Sequence, residues 1–105
     1  VLAVHGHSDS VYYSTDCLER KGRKLKADLI LYGHTHIAKK TETSSSLMVN
    51  PGSISLPRGG LPPSFAVVDI ADGKDNMSVT FYKIEIFGSS VQYEPFIPKD
   101  ASLWW

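Results

Sequence analysis

A chain of 105 residues fits one domain or a piece of one, because domains commonly run to about 100–150 residues. Its 11 Lys and Arg balance 11 Asp and Glu, for a formal net charge of zero, which leaves no electrostatic footprint for nucleic acid or an acidic membrane surface. The single cysteine, Cys17, excludes an internal disulfide and fits a reducing, cytoplasmic setting, and no apolar run is long enough to cross a bilayer.

Val1–Val4 is apolar and reads as a strand, although no initiator Met or lead-in precedes it; an upstream segment is therefore expected. His5 to Ser10 is small and polar and reads as a loop. Tyr12 to Lys26 carries a helix signal, with Asp16 and Glu19 spaced as in a capping box. Acids fall early and Lys21, Arg23, Lys24 and Lys26 fall late, as the helix dipole prefers. Leu18 and Leu25, seven apart, are expected to face a sheet, while Gly22 weakens the helix by about 1 kcal/mol relative to Ala. The basic run Lys21–Lys26 reads as a solvated helix end, since no aromatic residues are interleaved as a nucleic-acid surface would have them.

Asp28–Tyr32 is the next strand, a continuous apolar run of the kind buried on both faces of a parallel sheet. It closes a strand–helix–strand unit whose two strands should be parallel neighbours. Gly33 follows as the residue expected to turn the chain. Ile37–Thr43 and Leu47–Val49 are two short strands joined by Ser44-Ser45-Ser46. Asn50-Pro51-Gly52-Ser53 places Pro and Gly at the central positions of a type II turn. Arg58 to Pro63 is a Gly/Pro loop expected to be mobile. Ser64–Ile70 alternates as a strand, Asp72-Gly73 marks a turn, and Met77–Ile86 is a long strand whose alternation slips at Tyr82-Lys83, as at a bulge. The tail from Gly88 to the terminal Trp104-Trp105 has no assigned element.

All four histidines occur as two His-x-His pairs, His5-Gly6-His7 and His34-Thr35-His36, each just past an expected strand. That is where open α/β sheets bind ligands. Neutral imidazole is a common metal ligand, and two on one short loop bring their nitrogens together at small entropic cost. If the pairs share a site, His5 and His34 lie within about 10 Å of each other, because Zn–N bonds are about 2 Å. Nucleophilic chemistry has little support: Cys17 falls inside the expected helix and no Gly-x-Ser-x-Gly elbow occurs. Asp9 and Asp28 are carboxylates within range, read here as a solvated loop acid and a strand-start acid.

These residues also carry a resemblance. Val4-His5-Gly6-His7, then Leu29-Ile30-Leu31-Tyr32-Gly33-His34-Thr35-His36, then Asn50-Pro51-Gly52-Ser53, Pro57-Arg58, Ser64-Phe65 and Asp69-Ile70 look like the C-terminal half of a calcineurin-like metallophosphoesterase. The nearest subgroup is that of small bacterial and archaeal phosphodiesterases. The match runs from Val1 to about Glu85, so residues 1–87 are taken as that half-domain and 88–105 as an unassigned tail. The resemblance implies an α/β fold, part of an αββα sandwich, in which a parallel strand–helix–strand unit is followed by short, mostly antiparallel strands. It implies two divalent metal ions, manganese first, with zinc, iron or nickel as alternatives. On that template His5 and His34 bind one ion, His36 the other, and His7 lines the substrate side as a catalytic residue. The substrate implied is a small phosphate ester.

The family's Asp-x-His, Gly-Asp and Gly-Asn-His-Asp/Glu motifs, which supply the bridging carboxylate and the remaining ligands, do not occur in this sequence. Three histidines can hold one ion such as Zn²⁺ with an open position, but they cannot bridge two. The whole protein is accordingly expected to be a metal-dependent phosphodiesterase, of which this stretch alone is inactive. Two other readings stand beside it. One is a non-catalytic protein-binding scaffold similar to the retromer's metallophosphoesterase-like subunit; the other is a mononuclear structural metal site. The Asn50–Ser53 turn either simply places the next strand or presents backbone groups to a phosphate. Arg58 is either a solvated loop residue or a phosphate partner, since its fork fits that geometry. Half a sandwich exposes a sheet edge and an apolar face, which favours a homo-oligomer.

Overall fold

The computed structural model describes residues 1–71 and 76–98. Among them lie seven strands and one α-helix: β1 (Leu2–Ala3), α1 (Asp16–Lys24), β2 (Leu29–Leu31), β3 (Lys39–Glu42), β4 (Leu47–Asn50), β5 (Ser64–Ile70), β6 (Met77–Phe87) and β7 (Ser90–Phe96), with a short 3₁₀ turn at His7–Asp9. The first sheet has the order β1-β2-β4-β3 and the second the order β5-β6-β7. β1 and β2 are parallel, with Leu2 opposite Ile30 and Ala3 opposite Leu31. β2 and β4 are parallel as well, and β3 returns antiparallel on β4. The expected α/β arrangement is therefore present, as a helix, a mixed sheet and an antiparallel sheet. No helix among the described residues is long and apolar enough to cross a membrane.

The continuous apolar runs follow from burial on two faces. On β2 and β4, Ile30 and Met48 join Leu18, Val11, Ala27 and Tyr32 under α1. Leu29, Leu47 and Val49 point the other way and pack on Phe81 of the second sheet, with Ala66, Val68, Val79 and Phe96 around them. Strands sandwiched in this manner need apolar side chains at every position rather than every second one. Ile30, Met48 and Leu18 are completely buried.

The helix is shorter than its signal. Thr15, not Asp16, takes the N-cap position, and its hydroxyl donates to the Glu19 carboxylate at 3.2 Å. Asp16 is instead the first helical residue, where its charge meets the positive end of the dipole. At the other end Lys26 adopts φ 55°, the Lys26 N–H donates to Arg23 O, and the Ala27 N–H donates to Gly22 O, the two bonds of a Schellman stop. That stop leaves Leu25 outside the helix and 60% exposed, so Leu18 faces the sheet and Leu25 does not. Gly22 has a packing reason: a Cβ there would stand 2.3 Å from Ile30 Cδ1.

No bulge interrupts β6. Its register runs without a break from Met77 opposite Ile70 to Lys83 opposite Ser64, and on to Phe87 opposite Ser90. The slip in alternation comes from an apolar outer face, where Tyr82 stacks on Phe65 with ring centroids 5.1 Å apart and meets Tyr93 edge-on at 5.7 Å. The segment after Gly88, to which the sequence assigned nothing, forms β7 and pairs along the second half of β6. The Asp72-Gly73 turn and Trp104-Trp105 lie outside the described residues.

Gly22 sets two effects against each other, and the balance is measurable. Alanine gains about 1 kcal/mol of helix propensity, but overpacking against a fully buried side chain costs about 1–3 kcal/mol. Gly22→Ala is expected to destabilise the protein by about 1 kcal/mol in chemical denaturation. In an Ile30→Val background, which lacks the clashing Cδ1, the same substitution should become neutral or stabilising.

Candidate metal centre

Two backbone bonds bring the histidine loops to one place. β1 and β2 run parallel, and where they end the Val4 N–H donates to Leu31 O at 2.9 Å and the Gly33 N–H donates to His5 O at 2.9 Å. His5 and His34 then leave the sheet side by side. His5 Nε2 and His34 Nδ1 are 2.9 Å apart, far inside the separation a shared site requires. The His7 ring stands 5.2 Å from that of His5 and 6.2 Å from that of His34, centroid to centroid.

The turn after β2 is sharp at the histidines rather than at Gly33. His34 has φ 75° and His36 φ 62°, left-handed values that cost an L-residue about 1–2 kcal/mol each. Such strain persists only where the surroundings enforce it. Here the enforcing group is Asn50, wholly buried at the end of β4. Its Nδ2 donates to Thr35 Oγ1 at 2.9 Å and to Gly33 O at 3.4 Å, and its Oδ1 accepts from the Gly52 N–H at 3.0 Å. Thr35 Oγ1 also accepts from the Ile37 N–H. One amide thus fixes both the His34–His36 turn and the Asn50–Ser53 turn.

The second turn is closed by Ser64, 2% exposed, whose hydroxyl donates to Pro51 O at 2.9 Å. Gly52, at φ 86° as the third position of a type II turn demands, passes so close that a Cβ would lie 2.3 Å from Ser64 Oγ. Asn50 as a side-chain brace and Ser64 as a latch were both missed in the sequence. The only hint was that each abuts a glycine turn.

His36 is held by the loop that follows β4. Its Nδ1 lies 2.9 Å from Leu56 O, and because a carbonyl only accepts, Nδ1 carries the proton. In the neutral ring Nε2 then carries the lone pair, the arrangement typical of a ligating histidine steered by a backbone carbonyl. Burial, followed by the neighbouring charges of His5, His7, His36 and Arg58, holds His34 below the usual imidazole range, which keeps it in the neutral form that binds metal.

The first loop has its own anchor. Asp9 is 4% exposed and accepts from Lys21 Nζ of α1 at 2.8 Å; this bond pushes the Lys21 amine above its ordinary value. Asp9 is therefore not the solvated acid that its loop position suggested. Gly6 holds φ 108°, where a Cβ would also press on Val11 Cγ2 at 3.0 Å, and the Asp9 N–H donates to Gly6 O to close the 3₁₀ turn that carries His7.

Two nitrogens bound at about 2.1 Å to one ion, at right angles, lie about 3 Å apart. The His5–His34 separation, which is that of an N–H···N hydrogen bond, is close to that spacing, so a small turn of the rings would let the pair share a divalent ion. Among the described residues, no three His, Cys, Asp or Glu side chains converge as a complete ligand set. Further donors are needed to finish a site.

Residues 1–73 match the model of the calcineurin-like phosphoesterase superfamily domain. The chain belongs to that superfamily. Among curated calcineurin-like relatives, it is 35% identical over 82 residues to the probable metallophosphoesterase YsnB of Bacillus subtilis, a stretch covering 78% of this chain and 47% of the relative. It is 40% identical over 42 residues to the phosphodiesterase YfcE of Escherichia coli K12, covering 40% of this chain and 23% of YfcE. A predicted phosphoesterase from Streptococcus pneumoniae TIGR4 superposes with a TM-score of 0.71 at 28% identity, over 89% of this chain and 54% of that one. Vps29 of Entamoeba histolytica, crystallised with zinc, superposes with a TM-score of 0.60 at 28% identity, over 89% of this chain and 52% of its own. The chain spans about half the length of these calcineurin-like structures.

The brace around Asn50 yields a direct test. Asn50→Ala leaves the Gly52 N–H and the Thr35 hydroxyl without their buried partner, at an expected loss of about 1–3 kcal/mol. Thr35→Val keeps the shape but removes the acceptor of both the Asn50 amide and the Ile37 N–H, and should cost a comparable amount. Denaturation curves measure the stability, and metal titration of the same variants should show weaker binding for Asn50→Ala in particular.

Proposed function

We propose that these residues form the histidine-bearing part of a metal-dependent phosphodiesterase, completed by the remainder of the protein. The observation that carries the reading is the His5–His34 contact of 2.9 Å, in a chain that belongs to the calcineurin-like superfamily and is similar to YfcE. His5 and His34 would hold one ion, and His36, with its Nε2 free, a second. Manganese is the proposed metal, ahead of zinc, iron and nickel. Bound there, such ions polarise a phosphoryl oxygen and lower the pKa of water at the site.

The chain's own residues have separate tasks. His34 and His36 are pre-set by the Asn50–Thr35 brace, so little ordering remains when they take up a ligand. His7, exposed on its 3₁₀ turn beside the pair, would contact the substrate and hold or deliver a proton at a ring nitrogen. A carboxylate that bridges two ions must come from outside these residues.

The likeness to Vps29 structures supports a second reading, in which the same fold serves as a protein-binding scaffold. The presence of His5 beside His34 favours the enzyme, since a pure scaffold has less reason to keep a ligand there. In the whole protein, phosphodiester hydrolysis should require Mn²⁺ or a similar ion and stop on chelation. His34→Ala should lower both metal content and rate, the rate by at least about 100-fold. His7→Ala should keep its metal and change turnover or KM instead. Full activity of His34→Ala at limiting metal would contradict the enzyme reading.

The 105-residue stretch by itself should behave differently. β1 has no strand on its outer side among the described residues, and Ile86, Phe87, Val91 and Tyr93 are exposed on the β6–β7 hairpin. It is expected to self-associate in light scattering and to show no turnover with added Mn²⁺. A monomer that binds two ions and hydrolyses a diester would refute the assignment of the missing ligands.

A further inference from the structure

We propose that Arg58 grips the anionic phosphoryl group of the substrate beside the histidine cluster, and that Tyr12 is the residue that positions it. The proposal rests on the phosphoesterase reading and assigns the anion-binding element of that site.

The Arg58 side chain reaches the cluster through Tyr12. Its guanidinium donates from Nη1 to the Tyr12 hydroxyl, and that hydroxyl donates to His34 O at 3.2 Å. The Tyr12 ring meets the His34 ring edge-on with centroids 4.6 Å apart, and Arg58 Cζ stands 5.8 Å from the centre of the same Tyr12 ring. One tyrosine therefore touches both the arginine and a metal-ligand candidate, and the guanidinium lies two hydrogen bonds from the His34 backbone.

The main chain under Arg58 is fixed rather than free. Its N–H donates to His36 O at 2.9 Å and its carbonyl accepts from the Leu61 N–H at 3.3 Å. Gly59 and Gly60 lie between, at φ 70° and 72°, and Leu61 packs into the core between the sheets. This loop, expected from the sequence to be mobile, is thus tied to the His34–His36 turn at one end and to the core at the other. A shift of that turn moves Arg58 with it.

The guanidinium is held by a neutral hydroxyl and not neutralised. Among the described residues no carboxylate forms an ion pair with it, and Asp9, the acid of the first histidine loop, is already engaged by Lys21. Arginine has five N–H donors in a planar fork, of which Tyr12 takes one. The remainder suit two oxygens of a phosphoryl group, which an ammonium would meet only as a point charge. A positive fork with no ion-pair partner, anchored on the tyrosine that packs against His34, is suited to a phosphate oxyanion.

The test uses the whole protein loaded with Mn²⁺, with bis(p-nitrophenyl) phosphate as substrate and inorganic phosphate as a competing ligand. Arg58→Ala should raise KM and weaken phosphate inhibition by about tenfold or more, with metal content unchanged. Arg58→Lys should recover part of the loss, and Tyr12→Phe, which keeps the ring and drops the hydroxyl, should shift KM by a smaller factor. Arg23→Ala, at the far end of α1, removes the same charge and should change nothing. Unaltered KM and phosphate inhibition in Arg58→Ala would overturn the proposal. So would loss of metal in that variant, since Arg58 would then merely hold the loop. If the wild-type protein shows no turnover at all, the enzyme reading fails separately, and calorimetric binding of inorganic phosphate still decides on Arg58: a tenfold weakening in Arg58→Ala supports it and equal affinity refutes it.

Discussion

A single buried amide, that of Asn50, connects everything at this end of the molecule. All three of its hydrogen bonds stay inside the protein: to Thr35 Oγ1, to Gly33 O and from the Gly52 N–H. An unpaired amide in that position would cost about 1–3 kcal/mol, so the two loops it joins are mutually dependent. The His34–His36 turn takes its strained shape from Asn50, and Asn50 is itself set by β4, the strand that lies between β2 and β3. Side chains at the site are therefore placed by the order of strands in the sheet.

That dependence explains why the site sits where it does. Parallel strands end at the same edge, and β1 and β2 deliver His5 and His34 there in register. The 3₁₀ turn bearing His7 is pulled back onto α1 by Asp9 and Lys21, and the loop bearing Arg58 is tied to His36 O. Three separate segments thus meet without any one of them being long. The rigid sheet provides the position, and the loops provide the chemistry.

Much of this was legible in the sequence because it depends on short-range pattern. The unbroken apolar run of Asp28–Tyr32 marked β2 as buried on both faces, and Pro51-Gly52 marked a turn whose φ at Gly52 is 86°. Paired His-x-His at strand ends marked the site. What escaped depends on distant partners. Leu25 looked like a core residue until the Schellman stop at Lys26 released it, and Asp9 looked solvated because Lys21 is twelve residues away in sequence. The apparent bulge at Tyr82 was a second aromatic face, invisible until β5 and β7 supplied Phe65 and Tyr93. Asn50 and Ser64 were read as turn and strand residues because sequence shows the turn but not what a side chain reaches across it.

The left-handed backbone at His34 and His36 also bears on how this sequence can change over generations. Each histidine holds a conformation that glycine adopts freely, so each position carries a standing penalty that a single substitution would relieve. Part of that relief is returned as the extra freedom glycine gives the unfolded chain, so the exchange is close to neutral for stability, and the turn could change residue without changing shape.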